Sequence, residues 1–429
     1  MADAYTTFAS MANDAPNVYI ATRMIELLQR ILVLQKLAEQ YPLEQKMSKT
    51  LRVVRVNRLS LPVSQLVEGV TPSTLDMVLT KVDVTVEQWG IVALLTDVVE
   101  LTVKHPMLNI AIERVAMAMK ETAEREDAAV LMAATNVTYP GSKTTRQSLA
   151  STDVLNTAML ITITAKLEMR GTDQYPDGLY MTIMQPPHKA ALLGSDAIFQ
   201  QASNFSRVQK LEYGYIGTFM GHDCILGNFL PVFVGVAVPD TAAATATKAQ
   251  YTVGTSGTLA TANFQLQVVA RETTTDYERR LSQQTGNVAV TSPGSITVRT
   301  PTSLNYVYDI YMTAAGGTVP FKVASRIAGN TDFTITTAPA GTEAIAPAPP
   351  ANGVSVYPGF TCGRGAFGTC TLNGMALQTF VTPKGASDSD PLGQRRKVGA
   401  KYMRKSFILD NDFLERWETS SGLAAVVPA

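Results

Sequence analysis

The sequence predicts a mixed α+β protein carrying an inserted all-β module, and three observations support this. Hydrophobic periodicity switches from two to about 3.6 near residue 105. Residues 48–102 read as a long two-stranded excursion with a polar tip. Composition breaks over 240–350, where 22 of 111 residues are threonine and short apolar runs alternate with turn residues at sandwich spacing. At 429 residues the chain is long for one core, so two or three packed units are expected.

In chain order, residues 17–41 read as an amphipathic helix, with Ile20, Met24, Leu27, Leu28, Ile31, Leu34 and Leu37 near helical spacing and Pro42 ending it. LRVVRVNRLSL then reads as a strand, VEGVTPSTLDM as a turn-rich tip, and VLTKVDVTVEQWGIVALLTDVV as the returning strand. Val82, Val84 and Val86 should share one face of it, Asp83, Thr85 and Glu87 the other. A helix is expected from His105 to about Ala134, with Leu108, Ile112, Val115 and Met119 as its apolar stripe. Glu113, Lys120, Glu121, Glu124 and Arg125 would form its solvated side. Thr152 or Asp153 could cap a following helix that runs through Met169 and stops at Gly171. LYMTIMQP reads as a strand, Pro187 opens a short helix, and YGYIGTFMGHDCILGNFLP reads as a strand pair. FQLQVVA, VAVTSPGSITVRT, YVYDIYMTA and TDFTITTA would be strands of an independent module that closes on the linker-like APAPP. The earlier style returns after Gly353, with strands at FGTCTLNGMALQTFVTP and KYMRKSFILDNDFLERWE.

Composition excludes several functions. Lys+Arg and Asp+Glu both number 36, so no global basic field would hold nucleic acid. Val18 to Leu37 is interrupted by Arg23, Glu26, Arg30 and Lys36, whereas a membrane helix needs roughly 20 nearly uninterrupted apolar residues. MADAYTTFASMAND lacks a basic start followed by an apolar core, so no signal peptide is expected. Cys224, Cys362 and Cys370 lack metal-ligand spacing and read as packed thiols of a protein made in a reducing cytoplasm. His105, His188 and His222 lie far apart in sequence. Strand alternation puts His222 and Cys224 on one face and Asp223 on the other, against a metal site. Gly363–Gly368 matches G-x-G-x-x-G, but TCTLNGMALQTF after it reads as strand, so a turn is expected rather than a dinucleotide cradle. No Walker motif, zinc knuckle, nucleophile elbow or His–carboxylate set occurs, and no cofactor, metal or catalytic residue is assigned. Arg395, Arg396, Lys397, Lys401, Arg404 and Lys405 form a basic run. It would touch packaged nucleic acid or an acidic neighbour, or else lie on a solvated strand edge where lysines discourage mispairing.

At VEGVTPS, then VEQWGIVALLTDVV, then DPLGQRRKVGAKYMRKSFILDNDFLERWE, the chain resembles the N4-like family of phage major capsid proteins, which adopt the HK97-type capsid fold. The similarity covers about 18–236 and 353–420. Three departures stand out. Gln88-Trp89-Gly90 replaces the frequent Gln-Tyr-Gly, Gly399-Ala400-Lys401 replaces Gly-Trp-Lys, and Gly365-Ala366-Phe367 replaces Asp-Ala-Tyr.

The resemblance implies an N-terminal arm at 1–47, an extended hairpin loop at 48–102 and a peripheral domain with a spine helix at 103–150. Residues 151–237 and 351–429 would form the axial and peripheral capsid domain, while 238–350, outside the resemblance, reads from its composition and turn spacing as an inserted immunoglobulin-like (Ig-like) β domain. The protein would be a non-enzymatic shell subunit of a tailed-phage virion, assembled in the host bacterial cytoplasm, its main partner being itself. Portal, scaffold and decoration proteins would be further partners, and the shell would enclose double-stranded DNA without sequence-specific binding or any membrane. Rival readings are an encapsulin-like nanocompartment shell and a phage tail or adhesion component. Glu68, Gly69, Thr71 and Pro72 at the tip, with Gln88 and Trp89, are the expected assembly contacts. Gly69 can adopt positive φ and Pro72 fixes φ near −65°, so together they suit a defined reversal.

Overall fold

The computed structural model describes residues 33–46, 48–56, 59, 61, 65, 76–103, 107–195, 217–373, 375, 377–382, 392 and 394–421. The helix expected over 17–32 and the tip residues Glu68, Gly69, Thr71 and Pro72 lie outside them. The described chain falls into two compact units. One is built from 38–123 and 367–409, the other from 33–37, 124–366 and 410–421.

Along the chain come β1 (Glu39–Leu43), β2 (Thr50–Val56), β3 (Leu79–Thr85), β4 (Glu87–Thr96), α1 (Asp97–Thr102) and α2 (Met107–Met132). Then follow β5 (Val137–Thr138), α3 (Thr157–Met169), β6 (Tyr180–Met184), α4 (Pro186–Ser195), β7 (Gly217–Phe219), β8 (His222–Leu226) and β9 (Phe233–Val236). The threonine-rich segment supplies β10 (Gln250–Leu259), β11 (Ala262–Phe264), β12 (Leu266–Glu272), β13 (Glu278–Ser282), β14 (Val288–Val290), β15 (Gly294–Arg299), β16 (Tyr306–Thr313), β17 (Pro320–Ala328) and β18 (Asp332–Ile335). The remainder is β19 (Ser355–Cys362), β20 (Phe367–Leu372), β21 (Gln378–Val381), β22 (Arg395–Ile408) and β23 (Leu414–Ser420).

In the first unit β22 is the central strand. It pairs antiparallel with β4, β20 and β21, and β1 lies parallel beyond β20. Alternation along β22 sends Val398, Ala400 and Tyr402 to one face, where they pack with Leu95, Val115 and Met119. The expected α2 stripe is thus the stripe that packs, Leu108 and Ile112 joining it half-buried. The opposite face of β22 carries Met403 and Phe407, which meet Val84, Val86 and Leu51 from the base of the β2–β3 ribbon. Val84 and Val86 are buried while Asp83, Thr85 and Glu87 are exposed, as alternation requires. Two expectations fail here. Residues 34–36 form only a 3-10 turn, and Pro42 sits inside β1 instead of ending a helix. β1 pairs on one side alone, so a residue without an N–H is tolerated there.

The second unit is built on an eleven-stranded sheet. Its α3 is capped by Asn156, whose side chain accepts from the Met159 N–H, and not by Thr152 or Asp153. The helix ends in a Schellman motif: Gly171 (φ +70°) donates to the Glu168 carbonyl and Thr172 to that of Leu167. Glu124 corrects the expected solvated face of α2. It is 1% exposed, and Oε1 accepts the Val33 and Leu34 N–H groups at 2.7 and 2.9 Å.

Residues 240–350 do form a sandwich with its own core, in which Phe264, Val268, Ile296, Tyr308 and Ile310 are buried. Its independence is corrected, however. β13 pairs in parallel with β9, so β12, β13, β16 and β17 continue the host sheet. Val269, Leu281 and Tyr311 point away from the sandwich core and pack with Leu149, Phe233 and Val356 of the flanking chain. β12 is therefore buried on both faces, which its largely apolar run LQVVA permits, Gln267 donating to the Pro347 carbonyl at 2.9 Å.

Candidate functional site

Two of the tripeptides that depart from the family pattern, Gln88-Trp89-Gly90 and Gly399-Ala400-Lys401, meet across one strand pair. Trp89 lies opposite Tyr402, Gly90 opposite Lys401 and Val92 opposite Gly399. On the other side of β22, Phe380 lies opposite Gly399 and Gln378 opposite Lys401. Directly paired residues share a face, so Gly90, Val92, Gly399, Lys401 and Phe380 surround one surface, with Lys397 beside them. They line an open groove of about 540 Å³ on the face opposite α2. Val92 is 66% exposed and Phe380 49%.

The basic run does not form one patch. Arg395, Lys397, Lys401 and Lys405 fall on the groove face by alternation, Arg396 and Arg404 on the α2 face. Arg396 pairs with Glu100 at 2.8 Å and Lys405 with Glu87 at 2.8 Å. Arg404 is buried and donates to Ser406 Oγ at 3.0 Å. The Lys401 ammonium lies 5.0 Å from the Phe380 ring centroid. The strand-edge reading is corrected, since β22 is flanked on both sides. Sequence reasoning missed Gly90, Val92, Phe380 and Gly399 as a group. Two glycines within strand patterns were the available signal.

Elsewhere, chemistry-bearing residues are spent on packing. His222 is held by the hydroxyls of Thr164 and Thr182, each at 2.8 Å, and Cys224 is buried on the same strand face. Burial pushes the Cys224 and Cys362 thiols up to about 12, far from a nucleophilic thiolate. G-x-G-x-x-G is a turn leading from β19 into strand β20, with Gly365 at φ +76°. Among the described residues no group of three His, Cys, Asp or Glu is placed to hold a metal, and no helix is long and apolar enough to cross a membrane.

No protein-family model and no curated protein matches the sequence. Solved structures of phage capsids do match. The chain superposes on one from the capsid of cyanophage P-SCSP1u with a TM-score of 0.51 at 12% identity, over 93% of this chain and 91% of that one. A chain of the Ralstonia phage GP4 capsid gives 0.51 at 10% identity, with 100% of both chains covered. A chain of the cyanophage Pam1 capsid gives 0.50 at 12% identity, over 98% and 100%. The protein thus has a strand-rich α+β fold shared with phage capsid proteins.

Proposed function

We propose that this chain is a major capsid protein, a structural subunit that assembles with copies of itself into the icosahedral head of a tailed double-stranded DNA phage. The observation that supports this best is likeness to a phage capsid chain that covers 100% of both chains. The nearest family is read as the N4-like one, with the HK97-type division into arm, hairpin loop, spine helix, peripheral and axial domains, and the 238–350 segment as an Ig-like insertion. The subunit acts without catalysis or cofactor, in the virion, after assembly in the host cytoplasm beside portal, scaffold and decoration proteins.

The β2–β3 ribbon supports a subunit built for neighbours. Val54, Met77, Val78 and Leu79 on or beside it are about half exposed or more. Two strands alone are marginal in water, so the outer ribbon gains stability when it lies on something. Glu68, Gly69, Thr71, Pro72, Gln88 and Trp89 are proposed as assembly contacts. The test is electron microscopy and sedimentation of the purified full-length chain. Closed icosahedral particles are expected. Tubes or fibres would point to a tail component, shells that carry an enzyme to a nanocompartment, and a monodisperse monomer would refute the shell reading.

A further inference from the structure

The groove across β4, β22 and β21 is built in a way that the fold itself does not require. Neither Gly90 nor Gly399 has a backbone that demands glycine, and a Cβ on either would meet nothing closer than 3.4 Å. By contrast, a Cβ at Gly359 in β19 would lie 2.2 Å from the Trp417 ring, so that glycine makes room for a neighbour within the chain. Glycine inside a strand costs roughly 0.5–1 kcal/mol relative to alanine. At 90 and 399 that cost yields only an empty depression, walled by Val92 and Phe380.

Two further observations define what fits. Among the described residues, the lining includes Lys397 and Lys401 and no carboxylate. β21 hydrogen-bonds to β22 alone among the described strands, and the backbone groups of Thr379 and Val381 on its other side offer a short ladder to an extended chain. That edge carries Phe380 and Val381, both exposed.

We propose that this groove docks an extended acidic peptide segment of a partner protein, added beside β21, with a bulky apolar side chain seated over Gly399. Carboxylates flanking that side chain would meet Lys397 and Lys401. Nucleic acid fits less well, because most of the described lining is apolar and two of those lining residues, Lys397 and Lys401, are cationic. The proposal stands on the groove and does not depend on the shell reading.

The test is selection of a random heptapeptide library, displayed on yeast, against the labelled full-length chain. Enriched sequences should place Asp or Glu on either side of Leu, Ile, Phe or Met. Their affinity should fall at least tenfold for Gly399→Leu, which fills the depression. It should fall similarly for the double variant Lys397→Glu, Lys401→Glu, whose altered side chains lie on an open face and whose folding circular dichroism checks. Enrichment that ignores both variants, or enrichment of basic peptides, would overturn the proposal. A dT20 oligonucleotide whose binding the double variant abolishes would assign the groove to nucleic acid instead. Loss of self-assembly in the variants, with no peptide enriched on the parent chain, would assign it to a second copy.

Discussion

Glu124 shows what one residue can decide against its helical position. Its carboxylate is spent on two buried backbone donors, which fixes Val33 and Leu34 in the core at 3% and 0% exposure. Glu124→Ala would leave both donors unpaired, and each buried orphan costs about 1–3 kcal/mol. The expected result is an unfolding free energy lowered by about 2 kcal/mol or more in denaturant titrations; an unchanged value would mean that water reaches the two N–H groups. His188 makes the second residue-scale case. Its Nδ1 accepts from the Gln185 N–H at 3.0 Å and its Nε2 donates to the Tyr357 carbonyl at 3.2 Å, so the neutral ring is the one held. Burial lowers its pKa to about 3. The unfolded chain takes up a proton near pH 6.5 that the folded chain refuses, so stability falls as pH drops from about 6.5 toward 3. The slope is up to about 1.4 kcal/mol per pH unit from this ring, and His222, also lowered by burial, acts in the same direction. Denaturant melts at pH 7.5 and 5 should therefore differ less in His188→Gln than in the parent chain. Equal differences would place the titration elsewhere.

At the scale of elements, strands and helices were legible wherever a local period or stop signal existed. Gly171 ends α3, and the Val82–Val86 alternation selects the buried face of its strand. The cap was misplaced because Thr152, Asp153 and Asn156 are all competent residues. What selects Asn156 is where the chain turns into the helix, which leaves Asp153 to accept from the Ala150 N–H instead. The 240–350 segment was recognised as β-rich with turns at the right spacing, yet its attachment was not. Parallel pairing of β13 with β9 and the second buried face of β12 lead to an outcome opposite to that of an independent module. Replacing 240–350 by a short Gly/Ser linker should strip the β9 edge and expose Leu149, Phe233 and Val356. The expected product is poorly soluble, or melts well below the parent chain by circular dichroism. A soluble product with the parent melting temperature would show that the host sheet stands without these strands.

For the whole molecule, the assembly reading makes a small local change collective. If the proposed tip contact exists, Gly69→Val or Glu68→Lys would alter it at every subunit, whereas a surface change on a monomer usually stays within about 0.5 kcal/mol. Both variants should give folded, soluble chains by circular dichroism that fail to close into particles by sedimentation and negative-stain microscopy. Normal particles from both would remove the tip from the interface. Folded but unassembled variants would localise the defect to contacts between copies, where the exposed apolar side chains of the outer ribbon would be buried.

The sequence by itself determined the periodic features. These are the helix at Met107–Met132 with Val115 and Met119 inward, the alternating ribbon strands and the turn at Gly363–Gly368. Each is fixed within one or two turns of chain by side-chain spacing and backbone sterics. Tertiary structure alone decided which strands became neighbours. It joined β9 to β13, set β22 between β4 and the β20–β21 pair, and brought Gly90 beside Lys401 across more than 300 residues. It also turned Glu124 inward and divided the basic run between two faces. Local spacing says which side of an element is apolar, but not which distant element will cover it. That choice depends on loop closure and shared cores, summed over the whole chain.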